Sequence, residues 1–115
     1  MNALVKPLTG ILGLVLTLVG VAGFFANGML LLFEVDTVHN IVHLASGLVA
    51  LFAFSSSQLY SRWYLIIFGL VYGLVTIVGF ATGGVFGIMA INAADNYLHL
   101  AIAAACLIVG LGSKK

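Results

Sequence analysis

GLVLTLVGVAGFFANGMLLLFEVDTVHNIVHLASGLVAL, residues 13–51, aligns without a gap to GLVYGLVTIVGFATGGVFGIMAINAADNYLHLAIAAACL, residues 69–107, at an offset of 56. Thirteen of the 39 aligned positions are identical, among them Gly13/Gly69, Gly23/Gly79, Gly28/Gly84, Asn40/Asn96, His43/His99 and Leu51/Leu107. Unrelated apolar segments of this composition would agree at roughly a tenth of positions, so the chain reads as a tandem duplication. The only polar identities are the Asn pair and the His pair. They mark where polar chemistry can sit without saying what it is.

The 115 residues are 63% hydrophobic and only 6% charged. A water-soluble domain carries about a quarter charged residues, so lipid is the expected solvent. A net charge of +1 excludes a strong nucleic-acid footprint. The single cysteine, Cys106, cannot form an internal disulfide and reads as a small packed residue.

Charge-free stretches run from Pro7 to Phe33, Asn40 to Ser61, Trp63 to Ala94 and Asn96 to Ser113. A spanning helix needs about 20 mostly apolar residues. The expected architecture is all-α: a four-helix transmembrane bundle made of two tandem, parallel two-helix repeats. The helices are expected near 8–27, 38–56, 62–83 and 94–112. The whole chain, 1–115, forms one domain, with repeat 1 at 7–57 and repeat 2 at 63–113. The surplus segments 28–35 and 84–91 read as helix extension plus apolar linker, or as a shallow re-entrant turn. The first span is too long for a signal peptide and lacks an A-x-A site, so it is expected to be retained.

Lys6, Arg62, Lys114 and Lys115 fall at both termini and in the middle loop. With four spans they share one side, expected to be the cytoplasmic face of the cell membrane. Tyr60, Trp63 and Tyr64 read as an interfacial belt there. All three acidic residues and all three histidines fall toward the external side. Two spans per repeat imply a pseudo-two-fold axis along the membrane normal, which disfavours an inverted-repeat transporter. Gly69/Gly73 and Gly79/Gly83/Gly87 give small-residue spacing that makes the third span a central packing element, within the bundle or against another subunit.

The second span opens Asp36-Thr37-Val38-His39-Asn40-Ile41-Val42-His43, and the fourth Asn92-Ala93-Ala94-Asp95-Asn96-Tyr97-Leu98-His99. Asp36 and Asn92 align as helix N-caps, and Asp95 suits the positive helix end. His39 and His43 share a helix face, as do Asp95 and His99. The first reading is structural: Asn40, His43, Asn96 and His99 hydrogen-bond across the two helices and lock the repeats, at about 0.6–2 kcal/mol per bond. The second gathers His39, His43, Asp95 and His99 around zinc or another divalent first-row ion. The third makes His43 and His99 axial ligands of a b-type haem.

These motifs also carry a resemblance. Phe33-Glu34-Val35 leading into His39-Asn40-Ile41-Val42-His43, together with Asn92-Ala93-Ala94-Asp95-Asn96-Tyr97-Leu98-His99, resembles a family of small bacterial four-span membrane proteins catalogued only as a domain of unknown function. The likeness covers nearly the whole chain. It departs at the helix start, where Val38 and Thr37 replace an expected Leu and Pro. It implies the four-span fold and draws attention to His39, Asn40, His43, Asp95, Asn96 and His99, and it brings no activity.

An enzyme is not expected. The chain has no phosphate loop, only three carboxylates, and no nucleophile–base pair beyond Ser46 or Thr37 beside a histidine. Conduction lacks a continuous polar path, since Thr17, Tyr72 and Thr76 are alone in the inner halves of the spans. Function therefore reduces to a structural or interaction bundle, a metal site or a haem site. The expected partners are the lipid bilayer and a homo-oligomer or larger membrane complex, with no nucleic acid.

Overall fold

Four helices carry the chain: α1 Asn2–Gly23, α2 Thr37–Ser56, α3 Gln58–Thr82 and α4 Ala93–Gly112. All four are long and apolar enough to cross a membrane. The computed structural model describes residues 1–26, 28–85 and 89–114. The bundle measures 40 Å along its longest axis, against a hydrocarbon core of about 30 Å. Leu14, Leu18, Ile67, Leu74, Ile77 and Ile108 lie exposed on its outer face, where lipid chains replace water.

Helix α1 starts earlier than expected, at Asn2, with Pro7 inside it, and stops at Gly23. Over their described residues, segments 28–35 and 84–91 are not helix extensions. Each holds a pair of two-residue antiparallel strands: β1 Met29–Leu30 with β2 Phe33–Glu34, and β3 Gly84–Val85 with β4 Met89–Ala90. Glycines in left-handed conformation lead into both hairpins, Gly28 at φ +85° and Gly83 at φ +74°. A side chain at either position would be strained. Strand pairing also satisfies backbone groups at the membrane boundary, where unpaired amides are costly. At the tip of β1–β2, Leu31 adopts φ +55° and is 86% exposed. That conformation disfavours a non-glycine residue by about 1–2 kcal/mol. Val85, Met89 and Ile91 build a small second core with Val42 and Val75 beneath the other hairpin.

Helices α1 and α2 pack closely, as do α3 and α4, and α3 also touches α1 and α2. The contacts within each pair recur at the 56-residue offset. A Cβ on Gly13 would lie 2.8 Å from the Leu51 side chain, and one on Gly69 2.9 Å from Leu107. Gly10 faces Phe54 in the first pair. In the second pair the glycine changes sides, with Ile66 facing Gly110. Thr17 against Gly47 becomes Gly73 against Ala103 in the same way. Close helix approach in lipid needs a small residue at the crossing, and either helix can supply it. Of the glycines expected to make α3 a packing stripe, Gly69 and Gly79 do so. Gly73 sits at ordinary contact distance from Ala103, Gly83 ends the helix, and Gly87 lies outside the described residues.

At the end opposite the hairpins the termini meet the α2–α3 joint. That joint is a single residue, Ser57, whose hydroxyl accepts from the Tyr60 amide at 3.0 Å and caps α3. Asn2 Oδ1 accepts from the Lys114 amide at 2.8 Å, and Gln58 Nε2 donates to the Asn2 carbonyl at 2.9 Å. Arg62 Nε donates to Ser113 Oγ at 3.1 Å. Arg62 and Lys114 thus share one end of the bundle, and Lys115 lies outside the described residues. The expected aromatic belt is smaller than the sequence suggested. Tyr60 and Trp63 are exposed, but Tyr64 is buried and donates to the Ser46 carbonyl at 2.9 Å. A tyrosine hydroxyl taken into the interior usually finds such a partner.

Candidate metal centre

Both helices that carry the polar motifs begin with the same device. Asp36, in extended conformation, accepts from the His39 amide at 2.8 Å and caps α2. Asn92, also extended, accepts from the Asp95 amide at 2.9 Å, and Asp95 Oδ2 accepts from the Asn92 amide at 3.0 Å, closing a capping box on α4. Capping fixes the helical register, so His39 and Asp95 occupy the first turn of their helices. His43 and His99 follow one turn deeper on the same faces.

These faces meet. The ring centroids lie 4.3 Å apart for His39 and His43, 5.6 Å for His39 and His99, and 5.8 Å for His43 and His99. All three residues are buried, none more than 3% exposed. One nitrogen from each falls within 4.8 Å of the other two. Three nitrogens so spaced share a point no more than about 2.8 Å from each, and a zinc–nitrogen bond is about 2.0–2.1 Å long. Side-chain rotation of less than about 1 Å closes that gap.

Hydrogen bonding makes the cluster unusual. None of the six imidazole nitrogens has a partner among the described residues, and the same holds for Asp95 Oδ1, Asn40 Oδ1, Asn96 Oδ1 and Thr17 Oγ1. A buried polar group left unsatisfied costs about 1–3 kcal/mol, and native proteins keep only a few per hundred residues. Here six of them are the nitrogens of three converging rings, and three imidazoles are good ligands for zinc, copper, iron and nickel.

The chain matches the family described as "Domain of unknown function (DUF4383)" over residues 6–112. It belongs to that family. Neither the curated proteins nor the solved structures contain a match to it. The family description names no activity, so the chemistry has to come from the site.

The geometry redistributes the residues singled out in the sequence. His39, His43 and His99 converge. Asp95 stands apart from the three-nitrogen group. The expected Asn–His lock between the repeats is not made, because the histidine nitrogens are unpartnered. Asn40 Oδ1 lies instead against Gly23 of α1, and Asn96 Oδ1 against Gly79 of α3, each within its own helical pair. A haem between His43 and His99 would need an open slot around the axis joining them. His39 fills one side of that space, and the Tyr72 ring, 5.4 Å from His99, fills another.

The polar tie between the halves lies elsewhere. Asp95 Oδ2 also accepts from the Glu34 amide at 3.1 Å, and Asn92 Nδ2 donates to the Leu32 carbonyl at 2.9 Å. The hairpin of the first half is therefore docked on the N-terminus of α4. The sequence held one signal for this: the amide of Asn92 can donate a hydrogen bond that the aligned Asp36 carboxylate cannot. Tyr72 was likewise marked by a hydroxyl standing where the first repeat has Leu16.

Proposed function

We propose that this integral membrane protein binds one divalent first-row transition ion, with zinc as the reference, through His39, His43 and His99. The observation that carries the proposal is the convergence of three buried, hydrogen-bond-free imidazoles whose ligand atoms lie within 4.8 Å of one another. Two of the ligands come from α2 and one from α4, so the bound ion links the two helical pairs and staples the bundle near the hairpin end. The activity is binding rather than catalysis. The basic residues at the opposite end favour cytoplasmic termini by the positive-inside tendency, and on this reading the ion sits close to the external leaflet of the cell membrane.

The test is elemental analysis of the full chain, purified in detergent without a histidine tag, loaded with zinc and exchanged into metal-free buffer. The reading expects about one zinc per chain, lost in His43→Ala and His99→Ala. Less than about a tenth of an equivalent in the unaltered protein overturns it.

A further inference from the structure

Resting on that reading, we propose that Asp95 is a positioning residue that couples zinc binding to the docking of hairpin β1–β2. Its carboxylate faces two ways. Oδ2 holds the backbone amides of Asn92 and Glu34, the second of which lies in β2. Oδ1 is buried without a hydrogen-bond partner among the described residues, on the α4 face that carries His99 one turn deeper. Asp95 itself is fully buried and occupies in the second repeat the position that His39 holds in the first.

An ion bound by three neutral imidazoles brings two positive charges into a nonpolar interior. A buried charge of that kind requires compensation, and Asp95 is the one buried carboxylate among the described residues. Each imidazole gives the ion one nitrogen and keeps one N–H. Carboxylates regularly accept that remaining N–H, fixing the tautomer and ring orientation of the ligand, and losing such a partner lowers metal affinity by about 10–100-fold. In the zinc-bound protein Asp95 Oδ1 takes the His39 N–H in this way, a bond that neither group makes in this structure. Because the same carboxylate holds the Glu34 amide, occupancy of the ion site and order in the hairpin depend on each other. Binding linkage is reciprocal: zinc firms the hairpin, and loosening the hairpin weakens zinc.

The experiment uses the full chain in detergent with two readouts, zinc affinity by competition with a chromophoric chelator and amide hydrogen exchange across residues 29–36 with and without zinc. Glu34→Pro removes the donor to Asp95 and touches no ligand, and its N–H takes no part in the strand pairing. Asn92→Ser keeps the cap and deletes the tie to Leu32, which guards against misfolding of the proline variant. Asp95→Asn removes the charge. The proposal expects zinc to slow exchange at the Glu34 and Val35 amides of the unaltered protein. It expects Asp95→Asn to weaken zinc about 10-fold or more and to abolish that protection, and at least one folded hairpin variant to bind zinc more weakly. Undiminished zinc affinity in folded Glu34→Pro and Asn92→Ser, or exchange that ignores zinc in the unaltered protein, overturns the coupling and leaves the three-histidine site standing. Absence of zinc binding in the unaltered protein overturns the site itself.

Discussion

His43 of α2 and His99 of α4 meet edge to face, their rings 5.8 Å apart and inclined at 70°, in the core of the bundle. They occupy the same position in the two halves of the chain, yet neither bonds to the other or to the neighbouring asparagines. An arrangement built only for stability would not leave both rings unsatisfied. This relationship predicts a trade between stability and binding.

Replacing His99 by Leu removes two buried, unpartnered nitrogens while keeping an apolar side chain of comparable size. In chelator, the variant is expected to be more stable than the unaltered protein by about 1 kcal/mol or more, seen as a higher unfolding midpoint in detergent. With excess zinc the order reverses, because bound ligand stabilises only the protein that holds it. A variant less stable in chelator as well would show that the imidazole has a structural partner.

The helix crossings predict a contrast between two glycines. A Cβ on Gly20 would lie 2.6 Å from the Leu44 backbone nitrogen, whereas one on Gly73 meets only the Ala103 Cβ at 3.9 Å. Gly20→Ala should push α1 from α2 and destabilise by about 1–3 kcal/mol. Gly73→Ala should stay within about 0.5 kcal/mol of the parent. Thermal unfolding in a single detergent compares the two directly.

The Asn92 cap and its tie to the hairpin predict separable losses. Asp36→Ala removes the acceptor for the His39 amide and should cost about 1 kcal/mol or more. Asn92→Ser keeps a cap acceptor and deletes the tie to Leu32, whereas Asn92→Ala removes both, so Asn92→Ala should lose more. Equal losses in the two Asn92 variants would mean that the cap bond adds nothing to stability.

Tyr64 and Tyr60 separate burial from a place at the lipid headgroups. Tyr64→Phe deletes a 2.9 Å hydrogen bond to a core carbonyl and should cost about 1 kcal/mol. Tyr60 is 54% exposed, and Tyr60→Phe should leave the unfolding midpoint unchanged. Similar losses for the two would return Tyr64 to the membrane interface.

Architecture was legible in the sequence because lipid imposes a length and composition that four segments meet. The polar pattern was legible because so few side chains depart from apolar character that His39, His43 and His99 stand out. Helical spacing alone put His39 beside His43, and the matched position of His99 aimed it at the same place. The hairpins were not legible. Met29 to Glu34 is apolar enough to continue a helix, and strand pairing there is decided by backbone geometry after Gly28, which side-chain pattern does not record. The partners of Asn40 and Asn96 were missed for a related reason. Each asparagine oxygen rests on a glycine of the preceding helix, and an identical pair such as Gly23/Gly79 reads as packing until coordinates show what packs there. In the sequence Asp95 reads as a ligand because its spacing to His99 is the spacing of ligands, while in the structure one of its oxygens is held by the backbone of a hairpin that the side-chain pattern does not show.

The most direct measurement is zinc K-edge X-ray absorption on the zinc-loaded full chain in detergent, with His99→Ala alongside. The account predicts nearest neighbours at about 2.0–2.1 Å, with the outer-shell scattering of three imidazoles in the unaltered protein and a changed or absent bound-zinc spectrum in the variant. A six-oxygen spectrum of hydrated zinc, or one identical in the two proteins, would contradict it.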